Sequence, residues 1–236
     1  MKKTFLFLSA IFILIFSVSG FSKPSIEGAW QSKSGEKESV LLFQDGYFTE
    51  TEYTENEFVK SRGGPYVIKN NAIEVLVEFD SADSAEVGSK QVFSFSLSNE
   101  KLEVSFETPA TYARIDNVNS ALAGVWKINQ REQEGKVVAI HQTGARKTLK
   151  MLTGTRFQWF AINPETKQFS GTGGGTYTFE NGKYSENILF FSRDNSRVGT
   201  KLLFDGKIEN GQWHHSGLSS KGDKIYEVWG KINNEK

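Results

Sequence analysis

An internal repeat limits the possible folds of this 236-residue sequence more than any other feature. Residues 63–99 align with residues 174–210 at a constant offset of 111 without a gap, and twelve of the 37 positions are identical. Unrelated segments of ordinary composition would share about two or three. The repeat predicts two tandem domains, residues 25–115 and 121–233, and a period near 100 residues predicts that each closes around its own core.

The two copies also begin and end alike. Each begins with Gly-x-Trp, at Trp30 and at Trp126. Each ends with an aromatic residue followed two positions later by a cation: Tyr112 and Arg114 in the first copy, Trp229 and Lys231 in the second. In a closed up-and-down barrel the first and last strands pair, so the closing strand can lay its cation over the tryptophan. These end motifs favour a barrel over a sandwich.

The local pattern is that of strands joined by short turns. Apolar and polar residues alternate over 184–191 and 198–205, which is the period of a strand and not of a helix. Only a weak helix candidate, around Gln130–Gly135, lies outside the N-terminal segment. Turn residues recur at Asp45-Gly46, Gly63-Gly64, Asn70-Asn71, Asn99-Glu100, Thr153-Gly154, Asn181-Gly182, Asp205-Gly206, Asn210-Gly211 and Lys221-Gly222-Asp223. The predicted fold class is all-β, with two tandem antiparallel up-and-down β-barrels.

The N-terminal segment has the pattern of a cleaved signal peptide. Lys2 and Lys3 precede an apolar run over residues 5–18 that is too short to span a bilayer comfortably, and small residues follow it. We therefore expect residues 1–22 to be a signal peptide and the protein to be exported, to the periplasm or beyond the cell. No second apolar run is long enough for a transmembrane segment in the mature chain.

Charge and cysteine content exclude several classes of function. The chain has 28 basic and 28 acidic residues, and loss of Lys2 and Lys3 with the signal leaves a formal net charge of −2, so nucleic acid is not expected as a partner. Without cysteine there is no disulfide framework, thiolate metal site or catalytic thiol.

Neighbouring His214 and His215 point to opposite faces of a strand, so we expect neither a metal site nor a cofactor. The glycine-rich run over residues 171–175 is interpreted as a hairpin or bulge. A phosphate loop is followed by a helix, whereas the pattern of a strand follows this run.

Several motifs of the second copy resemble the lipocalin-like, calycin-type domains of secreted bacterial proteins. They are Gly174-Gly175-Thr176-Tyr177, Tyr184-Ser185-Glu186, Val198-Gly199, Trp213-His214 and Glu227-Val228-Trp229. The resemblance implies an eight-stranded barrel with a cup at one end. The first copy departs from the pattern, with Pro65 in place of Thr176 and Val75 in place of Glu186, which makes it the degenerate copy.

Two carboxylates of the second copy, Glu186 and Glu227, lie on strand faces that are otherwise apolar. If both point into the barrel, each needs a partner, because an unpaired buried carboxylate costs several kcal/mol or shifts its pKa upward. Lys201, Lys231 and Arg156 are the candidate partners. Together with nearby aromatic residues the carboxylates describe an amphipathic pocket. The predicted ligand-binding residues are Trp159, Tyr184, Glu186, Trp213, His215, Glu227 and Trp229.

Three hypotheses of function follow from these residues. The first is an exported, non-enzymatic protein that binds a small apolar or amphipathic molecule in its second barrel. The second is an interaction module with filled barrels that binds a protein or a glycan through its surface. The third is an acid/base enzyme that uses Glu186 and Glu227. The sequence assigns no catalytic residue and no oligomeric state.

Overall fold

A computed structural model describes residues 24–106, 108–140 and 144–232. The predicted signal peptide, residues 1–22, lies outside the described residues, as does His141. In the described part of the chain the structure is two closed antiparallel β-barrels of eight strands each, as the repeat and the alternation predict. No helix in this part is long and apolar enough to span a membrane.

The first barrel contains strands β1 to β9. Its ring runs in the order β1, β2, β3, β4, β5, β7, β8 and β9, and β9 pairs back with β1, while the short β6 pairs beside β4. The strands are β1 (Gly28–Ser34), β2 (Lys37–Gln44), β3 (Tyr47–Tyr53), β4 (Phe58–Lys69), β5 (Ala72–Leu76), β6 (Phe79–Asp80), β7 (Lys90–Leu97), β8 (Lys101–Ser105) and β9 (Pro109–Asp116).

The second barrel contains strands β10 to β18. Its ring runs β10, β12, β13, β14, β15, β16, β17 and β18, closed by the β10–β18 pair, and β11 adds to β10 as a hairpin. The strands are β10 (Gly124–Gln133), β11 (Lys136–Ala139), β12 (Lys147–Leu152), β13 (Arg156–Asn163), β14 (Gln168–Glu180), β15 (Lys183–Phe191), β16 (Lys201–Glu209), β17 (Gln212–Leu218) and β18 (Lys224–Lys231).

The end motifs close each barrel as the sequence predicts. Trp30 and Trp126 are fully buried, and each indole donates a hydrogen bond of 2.8 Å to a backbone carbonyl four residues earlier. Arg114 lies 3.9 Å from the centre of the Trp30 ring, and the Lys231 ammonium lies 5.3 Å from that of Trp126. Burial of an aromatic ring under a cation stabilises the paired first and last strands.

A third apolar cluster joins the two barrels. It is formed by side chains that point outward from both barrels and meet each other instead of water. Phe160 of the second barrel stacks on Tyr47 and Phe79 of the first, with ring centres 5.4 and 4.9 Å apart. Tyr53 contacts Phe190 in a tilted arrangement, with ring centres 5.2 Å apart. Strands β2 and β3 are therefore buried on both faces along much of their length.

Hydrogen bonds and an ion pair complete this interface. The buried Gln158 of the second barrel bonds Thr51 at 3.2 Å and Ser61 at 2.9 Å in the first. Lys147 pairs with Glu78 at 2.7 Å. Because buried polar groups need partners, these bonds fix the position of one barrel on the other.

Some predicted local features differ from the structure. Gly63-Gly64 and Asp205-Gly206, predicted as turns, lie inside β4 and β16. The helix candidate Gln130–Gly135 is wrong, since its residues form the end of β10 and the turn into β11. The run Gly171–Gly175 lies inside β14, where a register shift opposite Ala161 and Ile162 marks a bulge and not a hairpin. A glycine within a strand can mark close approach of neighbouring atoms as well as a turn, which explains the two errors in turns.

Candidate functional site

Alternating positions of four strands place most of the predicted binding residues inside the second barrel. We call them, with one further residue, the Lys150 cluster. Its members are Lys150, Tyr184, Glu186, Trp213, His215, Glu227 and Trp229. Strand register brings them together, since Trp213 pairs with Trp229 and His215 pairs with Glu227 across β17 and β18.

Lys150 is the centre of the cluster, and the sequence did not indicate it. Its ammonium donates to Glu186 over 2.7 Å, and the side chains of both residues are only 7% and 6% exposed. Tyr184 donates its hydroxyl to the same carboxylate oxygen, also at 2.7 Å. The lysine nitrogen lies 5.3–5.6 Å from the centres of four aromatic rings, those of Phe157, Tyr184, Trp213 and Trp229. Ion pairing and cation–π attraction offset the cost of burying this charge.

The other titratable groups of the cluster are His215 and Glu227. The His215 Nδ1 atom lies 3.4 Å from a Glu227 carboxylate oxygen, which also accepts a 3.1 Å hydrogen bond from the Trp229 indole. Burial lowers the pKa of His215 below its usual value of 6.5, and the nearby charge of Lys150 acts in the same direction. His215 is therefore neutral at pH 7. Burial also raises the pKa of Tyr184 well above its usual value, so this phenol stays protonated and donates to Glu186.

Two ring nitrogens of the cluster are buried without a hydrogen-bond partner among the described residues. They are Trp213 Nε1 and His215 Nε2. Such atoms are rare in folded proteins and mark a place for a water molecule or a ligand group. Both belong to residues that the sequence predicted as ligand-binding.

Comparison of the barrels shows that the fold does not need this cluster. Register pairs Trp126 with Lys150 in the second barrel and Trp30 with Leu41 in the first. By the same comparison of pairs, the first-barrel positions equivalent to Lys150, Glu186, His215 and Glu227 hold aliphatic residues: Leu41, Val75, Val104 and Ala110. Buried charges cost free energy that apolar residues do not, and closing a barrel of this fold does not require them.

The first barrel, which the sequence analysis treated as degenerate, is open at one end. Two adjoining cavities of about 470 and 380 Å³ open at its mouth and share the residues Glu50, Lys60, Arg62 and Phe106. We call this space the cup. Its walls are aromatic, from Phe93, Phe106 and Tyr112, and its rim is polar. An apolar wall with a few fixed polar groups is the usual lining of a small-molecule site.

The base of the cup holds a paired, largely buried arginine. Arg62 donates through Nε to Glu50 over 2.6 Å and through Nη1 to Gln91 over 3.2 Å. Its guanidinium lies over the rings of Phe93 and Phe106, at 5.6 and 5.2 Å from their centres. The third nitrogen, Nη2, makes no hydrogen bond among the described residues. The arginine is thus held in place with one donor group left for a ligand.

The acids and the phenol around the cup are also bonded within the chain. Glu52 pairs with Lys37 and Lys60 at 3.0 and 3.3 Å. Burial raises the pKa of Tyr112 to about 12, and its neutral hydroxyl lies 3.1 Å from that of Ser39. Five acids and three bases line the cup, so it does not favour an anion, and we expect a ligand with an uncharged polar group.

A tryptophan occupies the same height in the second barrel. Glu50 pairs with Arg62 across β3 and β4, and the equivalent cross-strand pair on β13 and β14 is Trp159 with Gly173. The Trp159 indole lies where a side chain at position 173 would otherwise stand, and it packs on Phe191 at 5.4 Å. Trp159 is the one predicted binding residue outside the Lys150 cluster, and it packs against the apolar core that contains Tyr184, Trp213 and Trp229.

None of the predicted cationic partners pairs with the two glutamates. Lys231 covers Trp126 and donates to the Ala123 carbonyl, and Lys201 is exposed. Arg156 lines a groove between the barrels. His214, on the outward face, has its Nδ1 atom 2.8 Å from the Tyr226 hydroxyl.

Comparison with known proteins identifies no family. No protein-family model matches the chain, and no curated protein matches it at a significant level. Among solved structures, the crystal structure of the Cpx pathway activator NlpE from Escherichia coli matches with 10% sequence identity, over 89% of this chain and 98% of that chain, at a TM-score of 0.23. At that TM-score the match supports no inference, and the fold described above stands on its own strand pairing.

Proposed function

We propose that the protein is a non-enzymatic binding protein for a small amphipathic molecule, and that the molecule binds in the cup of the first barrel. The observation that carries this proposal is the Arg62–Glu50 pair at the base of an open cup with aromatic walls. The second barrel has the same fold without this pair, so the pair is not needed for folding. Export and a lipocalin-like relationship belong to this proposal.

The expected ligand has an uncharged polar head and an apolar body. Arg62 Nη2 and the carboxylate of Glu50 offer a donor and an acceptor to the head, because both lie at the base of the cup. The rings of Phe93 and Phe106 offer flat apolar surfaces to the body. Binding energy would come mainly from the aromatic contact and orientation from the polar pair.

The test uses the uncharged fluorescent amphiphile N-phenylnaphthylamine as a probe. The double substitution Glu50→Trp and Arg62→Gly copies the pair that closes the second barrel and fills the cup. We expect saturable binding of the probe to the unchanged protein and at least tenfold weaker binding to the filled variant. Equal affinity for both proteins would contradict the proposal.

A matched control lies at the same position of the second barrel. Trp159→Ala uncovers that barrel and leaves the cup unchanged, so it should retain the affinity of the unchanged protein. Circular dichroism shows whether each variant keeps its strand content. If Trp159→Ala lost binding while the filled variant kept it, the second barrel would be the binding site.

The second barrel remains a second candidate site, as the sequence predicted. The buried, unpartnered Trp213 Nε1 and His215 Nε2 favour it. Lys150 already pairs with Glu186, so a molecule bound there would bring a hydrogen-bonding group to the two ring nitrogens. His215→Val, which copies Val104 of the first barrel, should weaken binding at this site and leave probe binding in the cup unchanged.

A further inference from the structure

A groove of about 890 Å³ separates the two barrels on one side of their interface. One wall comes from β1, β2 and β3 of the first barrel and the turns that follow β1 and β3, with Tyr53 among its residues. The other comes from the second barrel and includes Arg156, Leu189 and Val198. The groove exists only because the two barrels pack together, and none of the predicted binding residues lines it.

Arg156 is an unpaired cation in this groove. Its Nε atom is buried and makes no hydrogen bond, and the side chain forms no ion pair among the described residues. A buried donor without an acceptor costs free energy, and the cost is greater when the group is charged. The other buried or half-buried cations at the two barrel sites, Lys150 and Arg62, do have carboxylate partners.

The acids near the groove do not satisfy Arg156. Glu38 accepts hydrogen bonds from Gln31, Lys33 and Tyr53, so its carboxylate is engaged within its own wall. Glu36 and Glu55 are exposed on the turns at the rim, where solvent screens their charge. Arg156 therefore lines the groove beside the apolar side chains of Tyr53 and Leu189, and its Nε atom has no acceptor among the described residues.

We propose that this groove binds a small amphipathic anion, with its acidic group on the Arg156 guanidinium and its apolar part against Tyr53 and Leu189. Arginine is the side chain best suited to hold a carboxylate through two parallel hydrogen bonds. The site is chemically distinct from the cup, whose lining holds more acids than bases. It does not depend on the proposed function of the cup.

The test is a calorimetric titration with octanoate, in the unchanged chain and in the cup-filled variant Glu50→Trp/Arg62→Gly. We expect saturable octanoate binding of equal affinity in both, because the cup does not contribute. Arg156→Gln should weaken this binding at least tenfold in either background. Since Arg156 makes no ion pair in the described structure, its replacement should leave the fold intact, which circular dichroism checks.

Two controls separate this site from general anion binding. Lys201→Gln removes the same charge from an exposed position of the same barrel and should leave octanoate affinity unchanged. Acetate has the acidic group without the apolar chain and should bind at least tenfold more weakly than octanoate. Absence of saturable octanoate binding, or binding unaffected by Arg156→Gln, would overturn the proposal. Loss of binding on filling the cup alone would place the anion in the cup and overturn it too.

Discussion

At the scale of single residues, the unusual feature is a lysine buried inside a barrel. Lys150 is stabilised by Glu186, by the Tyr184 hydroxyl bonded to that glutamate, and by surrounding rings. Removing one partner of a buried ion pair leaves an uncompensated charge and typically costs about 3–5 kcal/mol. Replacing both partners by apolar residues removes the desolvation cost as well, and is often neutral or stabilising.

The first prediction uses the residues of the first barrel as replacements. Glu186→Gln should lower the free energy of unfolding by about 3–5 kcal/mol, since it leaves Lys150 charged and unpaired. The double substitution Lys150→Leu/Glu186→Val, which copies Leu41 and Val75, should leave stability unchanged or raise it. Urea unfolding followed by tryptophan fluorescence measures both. If the double variant were as unstable as the single one, the ion pair would be required for folding.

His215 gives a pH dependence of stability. Its pKa in the folded protein is lowered, so the unfolded chain binds a proton more readily between the folded value and 6.5. Its contribution to stability is full above pH 6.5 and declines as the pH falls, by at most about 1.4 kcal/mol per pH unit for one proton. His215→Val should abolish the decline in stability between pH 6.5 and pH 4.5. Below pH 4.5, the usual pKa of a glutamate, carboxyl groups also take up protons. An unchanged pH profile of the unfolding midpoint would show that His215 is accessible to water.

At the scale of elements, strands buried on both faces explain which site residues could be predicted. In β12, Leu149 and Met151 have the pattern of a barrel core, which would leave Lys150 facing water. In the structure those two residues face the other barrel and Lys150 points inward. The inward position of Glu50 on β3 could not be predicted either, because its neighbours Thr49 and Thr51 are buried as well. Alternation identifies two faces but not which face is the interior when a second domain covers the outside.

The strand framework and the inward positions of Glu186 and His215 were predictable because the second barrel's strands β15 and β17 follow simple alternation. Their partners were not, since Lys150 lies 36 residues from Glu186 in sequence and meets it only through the ring of strands. Barrel closure itself could be predicted from the paired end motifs. The binding roles assigned from sequence stay predictions.

Glycines inside the long strands make a prediction at the same scale. A Cβ atom at Gly175 of β14 would collide with the backbone carbonyl of Asn187, and one at Gly64 of β4 with that of Leu76. Either glycine-to-alanine substitution should destabilise its barrel by more than about 1 kcal/mol, because only a movement of the backbone can relieve the collision. Gly206→Ala is the control, since its nearest neighbours are ring atoms of Phe179 and Trp213 at 3.1 and 3.3 Å, which can shift. Equal effects at Gly175 and Gly206 in urea unfolding would contradict this account.

At the scale of the whole molecule, the interface makes the two barrels one unit. Phe160→Ala removes the ring that stacks on Tyr47 and Phe79 and should cost about 3–5 kcal/mol, the usual cost of deleting a buried phenylalanine. With Trp30→Phe as background, every remaining tryptophan lies in the second barrel, while circular dichroism reports both. We expect the two signals to give one coincident transition that Phe160→Ala shifts as a whole. Two separate transitions in the unsubstituted background would show that the barrels unfold independently.

The prediction that residues 25–115 and 121–233 fold as separate domains now has an added condition. Each isolated half would expose its side of the apolar interface. Large exposed apolar patches promote association between protein chains. We expect each half to keep its strand content by circular dichroism and to self-associate by sedimentation. A monomeric, stable half would mean that the interface contributes little.

The central claim is that the first barrel binds a small molecule in its cup while the second is covered. Native mass spectrometry of the protein purified from its own host tests this claim most directly, in parallel with the cup-filled variant Glu50→Trp/Arg62→Gly expressed in the same host. We expect a small-molecule adduct on the unchanged protein that is retained by Trp159→Ala and absent from the cup-filled variant. The same adduct at equal abundance on the cup-filled variant would contradict it.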